Sequence, residues 1–271
     1  MKDEAWLEIF HEVSAAIRRR AGVLFGTEGG RHELDVGAGG DVTVEIDRAA
    51  EQAALTIFQR VHKGGERFSL LSEEAGMVSF GADYPLIALD PIDGSLNAKQ
   101  GIPLVGVVVS LLEGSNVGSL RTGHVLNVVT GDYFDALRGG GARHNGGEMS
   151  RLRSRPSKRI ELLGLESSPR SLKGAAPLVE RAAKIRILGS MALSIAHTAT
   201  GGFNVFCSPI LARVFDMTAS LLVIGESGGV ATDMAGRSLD GLGVGLETRS
   251  TLLAASDPRI HEQALRILNG G

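Results

Sequence analysis

The stretch Leu86-Ile87-Ala88-Leu89-Asp90-Pro91-Ile92-Asp93-Gly94-Ser95 is an apolar run that ends in two aspartates three residues apart, followed by Gly-Ser. A strand that delivers two carboxylates to its end places anionic oxygens where open α/β sheets usually bind ligands, and such oxygens suit a hard cation. Pro91 biases Asp90 toward an extended backbone, and Asp93 is placed to cap a short helix whose first N–H groups come from Gly94 and Ser95. Free N–H groups at a helix start bind phosphate. Cation ligands and a phosphate cradle therefore fall within six residues. Phosphoryl transfer to water needs both, to neutralise the phosphate and to orient the attack.

Alone, Asp-Pro-x-Asp-Gly is also a tight turn after a strand. Three other segments add to it. Leu70-Leu71-Ser72-Glu73-Glu74 ends another strand in adjacent carboxylates, Asp47 opens a helix after a glycine-rich loop, and Asp216 opens a further helix. Singly, each reads as a helix cap or a solvated charge. Together, Glu73, Asp90, Asp93 and Asp216 form a candidate metal cage.

The elements that must position these groups follow from periodicity. Ile9, Phe10, Val13, Ala16 and Ile17 recur at helical spacing and predict an amphipathic helix ending by Gly22. Ile46, Ala50, Ala53, Ala54, Ile57 and Val61 predict a second, which stops at Lys63-Gly64-Gly65. Short strands follow at 68–72, 86–89 and 105–112, and 117–146 reads as an antiparallel meander turning at Thr130-Gly131-Asp132. The basic stretch 151–159 marks a junction between an N-terminal α+β part (1–150) and a C-terminal α/β part (151–271). Beyond it, strand and helix patterns alternate, predicting a sheet covered by helices and a last helix from Pro258 to Asn269.

Composition bounds the rest. A chain of 271 residues with 43% hydrophobic content can bury a large core, and a net charge of −3 carries no basic footprint for nucleic acid or an anionic membrane. No window reaches the roughly 18 apolar residues of a membrane span, and the N-terminus lacks the apolar run of a signal peptide, so the cytoplasm is the expected compartment. The single cysteine, Cys207, reads as a small buried apolar residue. Seven histidines lie scattered with no His-x-x-x-His pair, so no zinc site is expected. Gly139-Gly140-Gly141 lacks a nucleotide-loop setting and reads as a turn. Arg213, three residues before Asp216, is either a helix-flanking surface charge or a ligand for a second phosphate.

The combination resembles the inositol monophosphatase superfamily. Asp90-Pro-Ile-Asp93-Gly-Ser95 is similar to its metal-binding signature, Ser72-Glu73-Glu74 to its upstream glutamate pair, and Phe215-Asp216-Met-Thr-Ala-Ser220 through Gly228-Gly229 to its downstream signature. Residues 36–43 and 212–216 look closest to the archaeal-type branch, whose members act on inositol monophosphate and often on fructose-1,6-bisphosphate. The resemblance implies a layered αβαβα sandwich and two or three Mg²⁺ ions. Glu73, Asp90 and the carbonyl of Ile92 would hold the first ion, and Asp90, Asp93 and Asp216 the second. It implies in-line attack of metal-activated water on a small phosphorylated polyol or sugar, inositol-1-phosphate first. Fructose-1,6-bisphosphate, 3'-phosphoadenosine-5'-phosphate, NADP or a catalytically silent phosphate-binding role are the alternatives. Glu73 would take the proton, with Ser95 and its partner Asp47 orienting the water. Asp93, Gly94, Ser95, Gly189, Ser190, Met191 and Arg213 would face substrate. A homodimer is implied as well. Two departures stand out: Gly39 replaces an aspartate common in the archaeal-type loop, and no acidic residue near Ser208 matches the one that animal enzymes set against inositol hydroxyls.

Overall fold

The computed structural model describes residues 1–40, 42–149 and 159–270. Its helices are α1 (Asp3–Gly22), α2 (Glu45–Lys63), α3 (Ser95–Gln100), α4 (Ala176–Arg181), α5 (Met191–Ala199), α6 (Thr218–Glu226) and α7 (Pro258–Leu268). A short ribbon, β1 (Glu33–Val36) with β2 (Val42–Val44), precedes α2. The first large sheet runs in chain order through β3 (Phe68–Ser72), β4 (Gly76–Asp93), β5 (Gly106–Leu112), β6 (Leu120–Asn127), β7 (Tyr133–Leu137), β8 (Gly141–His144) and β9 (Gly147–Glu148). The second comprises β10 (Leu162–Leu165), β11 (Lys184–Ile187), β12 (Val205–Arg213), β13 (Val230–Thr232) and β14 (Arg249–Ala255), in the order β11-β10-β12-β14-β13.

The two-residue period of a strand sorts side chains into layers. Along β4, Ile87 and Leu89 pack on α1 and α2 with Trp6, Phe10 and Phe58, while Leu86 and Ala88 face the other way, into a core shared with α5 and α6. On β12 and β14, Phe206, Leu252 and Ala254 join that middle core, whereas Val205, Leu253 and Ala255 meet α4 and α7 through Leu178, Ile260 and Ala264. The result is helix, sheet, helix, sheet, helix, the αβαβα sandwich the sequence predicts. Position in the stack explains composition. Helix α6, held between two sheets, is buried from Thr218 to Ile224, as a helix apolar on all sides must be. In α1, on the outside, Trp6, Phe10, Val13 and Ile17 are buried on one stripe.

β3 lies between two parts of β4. It pairs antiparallel with the first part (Ser72 opposite Gly76, Leu70 opposite Val78) and parallel with the second (Leu70 opposite Ile87, Ser72 opposite Leu89). This lays the Glu73-Glu74 turn beside the strand that ends in Asp90 and Asp93. Cys207 is fully buried, and burial pushes its thiol up to about 12, consistent with an inert core residue. No helix among the described residues is long and apolar enough to cross a membrane. Of the predicted junction at 151–159, residues 151–158 lie outside the described residues.

Candidate active site

Strand and helix ends from both sheets converge on one cavity of about 360 Å³. β4 supplies Asp90, Ile92 and Asp93, and the turn after β3 supplies Glu73 and Glu74. The first turn of α2 supplies Asp47, the start of α3 supplies Gly94 and Ser95, and the last residue of β12 is Arg213. Asp216 sits in a 3₁₀ turn, Phe215–Met217, that leads into α6, one step before the α-helix that the sequence predicts it to open. Lys99, on α3 four residues after Ser95, also lines the cavity. Its spacing from Ser95 on one helix face is the signal in the sequence that marks it.

Local geometry revises two expectations. Asp93 does not cap α3, whose N-cap is Gly94 at φ 96°. Its carboxylate accepts instead from the N–H groups of Met191 (3.2 Å) and Ala192 (2.9 Å) and from the Ser190 hydroxyl, so it caps α5, 98 residues away. Gly94 permits this approach: the left-handed backbone suits glycine, and a Cβ there would lie 2.8 Å from the Gly189 carbonyl. Ser95, expected to partner Asp47, donates to the Ile92 carbonyl at 3.1 Å, the nearer acceptor within its own turn. Asp47 Oδ2 accepts from the Val44 N–H at 3.2 Å.

Six carboxylates share the cavity with two cations. Arg213 is no surface charge: its side chain is 13% exposed, and it bonds Asp216 at 2.9 Å and also Glu73, joining residues 140 positions apart. Burial opposes its charge, but Asp216 and Glu73 more than offset this and hold the guanidinium firmly protonated. Gly39 makes room for it, since a Cβ there would lie 2.6 Å from an Arg213 nitrogen, and the Gly39 N–H docks on the Glu73 carbonyl at 2.8 Å. Crowding acts the other way on the acids. Burial, then the charges of Glu73, Asp216 and Asp93, hold Asp90 well above the usual carboxylate range. Burial likewise raises Asp216 to about 7 against the pull of Arg213, Asp93 to about 6 against its hydrogen bonds, and Asp47 to about 7.

A second cavity of about 300 Å³ shares Asp93, Arg213 and Asp216 with the first. Gly189 and Met191 line it, while Ser190 is fully buried beneath Asp93 and lines neither. Glu166 and Arg249 line it as well. Glu166 follows β10, accepts backbone N–H bonds from Ser167 and Gly189, and is pushed to about 7 by burial and then by Asp93. Its Oε2 is buried without a hydrogen-bond partner. No local motif marks this lone glutamate.

The donor set fits a hard divalent cation. All its side-chain ligands are oxygens, Asp47 Oδ1 and Asp216 Oδ1 are buried without hydrogen-bond partners, and burial together with like charges favours the protonated acids, a cost that a cation would relieve. The sign of the pH effect follows. An acid whose folded pKa is raised contributes stability that is lost as pH rises through that value. The metal-free protein is therefore expected to melt at a lower temperature at pH 8 than at pH 6.5, the raised acids outweighing buried His124, His197 and His261, whose uptake of protons on unfolding works in the opposite direction up to about pH 7. Saturating Mg²⁺ should flatten the dependence. A metal-free Tm that is constant or rises from pH 6.5 to 8 would contradict this charge balance.

A five-layer sandwich with carboxylates gathered at its strand ends has counterparts among known proteins. The inositol monophosphatase family profile matches residues 6–270. A fructose-1,6-bisphosphatase/inositol-1-monophosphatase of Methanothermobacter thermautotrophicus is 30% identical, covering 97% of this chain and 96% of that protein. A bifunctional NADP phosphatase/NAD kinase of Methanococcus maripaludis is 28% identical over 86% of this chain and 44% of its own length. The solved structure of a Pyrococcus horikoshii protein with similarities to inositol-1 monophosphatase superposes with a TM-score of 0.82 at 20% identity, covering 98% of each chain. The chain belongs to the inositol monophosphatase family, whose members are phosphoric monoester hydrolases.

Proposed function

We propose that the protein is a Mg²⁺-dependent phosphatase of small phosphorylated polyols, with inositol-1-phosphate as its first substrate. The observation that carries this reading is the meeting of Glu73, Asp90, Asp93 and Asp216 with Gly94 and Ser95 on one cavity that continues into a second lined by Glu166. Glu73, Asp90 and the Ile92 carbonyl would hold one ion, and Asp90, Asp93 and Asp216 another. An ion held by these residues would supply charge to neutralise the phosphate and to acidify a water. Gly94, Ser95 and Lys99 receive the phosphate from the α3 side. Glu73 takes the proton of the attacking water, and Ser95 and Asp47 orient that water. Phosphate release from inositol-1-phosphate, fructose-1,6-bisphosphate, 3'-phosphoadenosine-5'-phosphate and NADP, with Mg²⁺ and with excess chelator, tests the reading. Mg²⁺-dependent release is expected, fastest from inositol-1-phosphate. No release from any of them would leave a silent phosphate-binding protein.

Glu166 supports a polyol. A buried carboxylate oxygen with no donor seeks an O–H group and repels a second phosphate. Glu166→Gln is expected to raise KM for inositol-1-phosphate about tenfold and to leave p-nitrophenyl phosphate, which has no hydroxyl to offer, nearly unchanged. Equal losses on both would mean that Glu166 acts through Asp93.

A further inference from the structure

Away from the cavity, α1 packs across β6 and β7 and brings together residues that the sequence scatters. His124 and Asp135 are directly opposite in the antiparallel β6–β7 pair, so their side chains share a face. His11 and Ser14, one helical turn apart on α1, meet them there. His124 Nδ1 lies 2.6 Å from Asp135 Oδ1, and His11 Nε2 lies 2.9 Å from Asp135 Oδ2. The two imidazoles are 4.5 Å apart between centroids, and Tyr133 stands edge-on to His11 at 4.8 Å. None of these residues lines either cavity of the active site.

A single carboxylate gripped by two imidazoles can be an interhelix strut or a ligand set, and Ser14 bears on the choice. Its hydroxyl lies 3.0 Å from the His11 carbonyl and 2.8 Å from His124 Nε2, and when it donates to the carbonyl its oxygen is free to accept from Nε2. A neutral His124 ring with its proton on Nε2 turns a bare Nδ1 lone pair on a carboxylate oxygen. In that tautomer two acceptors face each other and a proton or a cation belongs between them; with the Ser14 hydroxyl turned to Nε2 instead, Nδ1–H donates to Asp135 and the group is a strut. An outer hydrogen bond that fixes the far nitrogen of a ligating histidine is also the usual support of a metal site.

We propose that His11, His124 and Asp135 form a second metal site, selective for a divalent transition ion such as Zn²⁺ and distinct from the carboxylate cavity. One ligand atom from each of the three lies within 4.8 Å of the others. Opening the two short contacts by roughly half an ångström admits an ion at about 2.0–2.1 Å from each nitrogen. Two imidazoles and one carboxylate favour Zn²⁺ or Co²⁺ over Mg²⁺, which prefers oxygen alone. His124 and Asp135 are buried, whereas the His11 side chain is 37% exposed, which gives the ion a route in and leaves a position for water. The absence of a local His-x-x-x-His pair does not bear on such a site, because its ligands are 113 and 11 residues apart along the chain. Filled, it would clamp α1 to the first sheet.

The test uses the full chain, stripped of metal and then saturated with Mg²⁺ to occupy the oxygen ligands of the cavity, and titrated with Co²⁺. One equivalent is expected to bind with the intense visible absorption of a low-coordinate, nitrogen-ligated ion, to be displaced by Zn²⁺, and to raise Tm. His11→Ala, at a half-exposed position, should lose that equivalent and the Tm rise while keeping wild-type circular dichroism and wild-type phosphate release. Ser14→Ala should weaken Co²⁺ binding roughly 10- to 100-fold. An identical Co²⁺ spectrum in wild type and His11→Ala, or no such band in either, would overturn the proposal and leave a hydrogen-bonded strut.

Discussion

Asp90→Asn is expected to lower Mg²⁺-dependent phosphate release on the order of a thousandfold or more, because Asp90 is the one side chain assigned to both ions and several kcal/mol of charge stabilisation pass through it. The same change should act oppositely on the metal-free fold. Asp90 is 3% exposed, and burial and three neighbouring acids press it toward its protonated form, so a neutral amide relieves repulsion while its oxygen can still accept the Ile92 N–H at 3.0 Å. Metal-free Asp90→Asn should therefore melt above metal-free wild type at pH 8 and gain little from Mg²⁺, which stabilises the wild type by binding its native state. Phosphate release and paired melts with and without Mg²⁺ check both halves. Near-wild-type turnover would remove Asp90 from the site.

Arg213→Ala is expected to cut kcat/KM about ten- to a hundredfold on inositol-1-phosphate and on fructose-1,6-bisphosphate alike. From the sequence, a role on a second phosphate predicts a loss confined to the bisphosphate. The structure changes that expectation, because Arg213 bridges Glu73 and Asp216 and so bears on groups that every substrate meets. Arg213→Lys should recover little, since one ammonium cannot reproduce the two-armed contact. Steady-state kinetics on both substrates decide the matter, and a KM rise for the bisphosphate alone would restore the second-phosphate role.

What the sequence made legible was local. Short apolar runs located β3, the end of β4 and β5, helical spacing located α1 and α2, and the acids at strand ends lay within a few residues of those patterns. The first part of β4 escaped because every second residue, Met77, Ser79, Gly81 and Asp83, is exposed, so the segment lacks the unbroken apolar run of 86–89. Pairings across the chain escaped as well. Asp93 looked like the cap of the helix beside it, yet it serves one 98 residues on, and Arg213 looked like a flank until Glu73 was brought to it. Glu166 and the His11–His124–Asp135 group have no neighbour in sequence that hints at their surroundings. Periodicity reports which face of an element is buried, but only the packed layers decide which side chains meet there.

Asp93 acts as a rivet. It leaves the last residue of a strand in the first sheet and grips the start of α5 in the middle layer through Met191, Ala192 and Ser190, with both of its carboxylate oxygens, while the same residue lines the cavity. The seam between two layers and one pole of the cavity are thus a single object. Whatever draws charge toward the cavity also pulls on that seam, and whatever loosens the seam displaces a pole of the cavity. Damage to turnover at Asp93 therefore mixes chemistry with architecture, and Asp90, which holds no helix, is the residue at which the two separate.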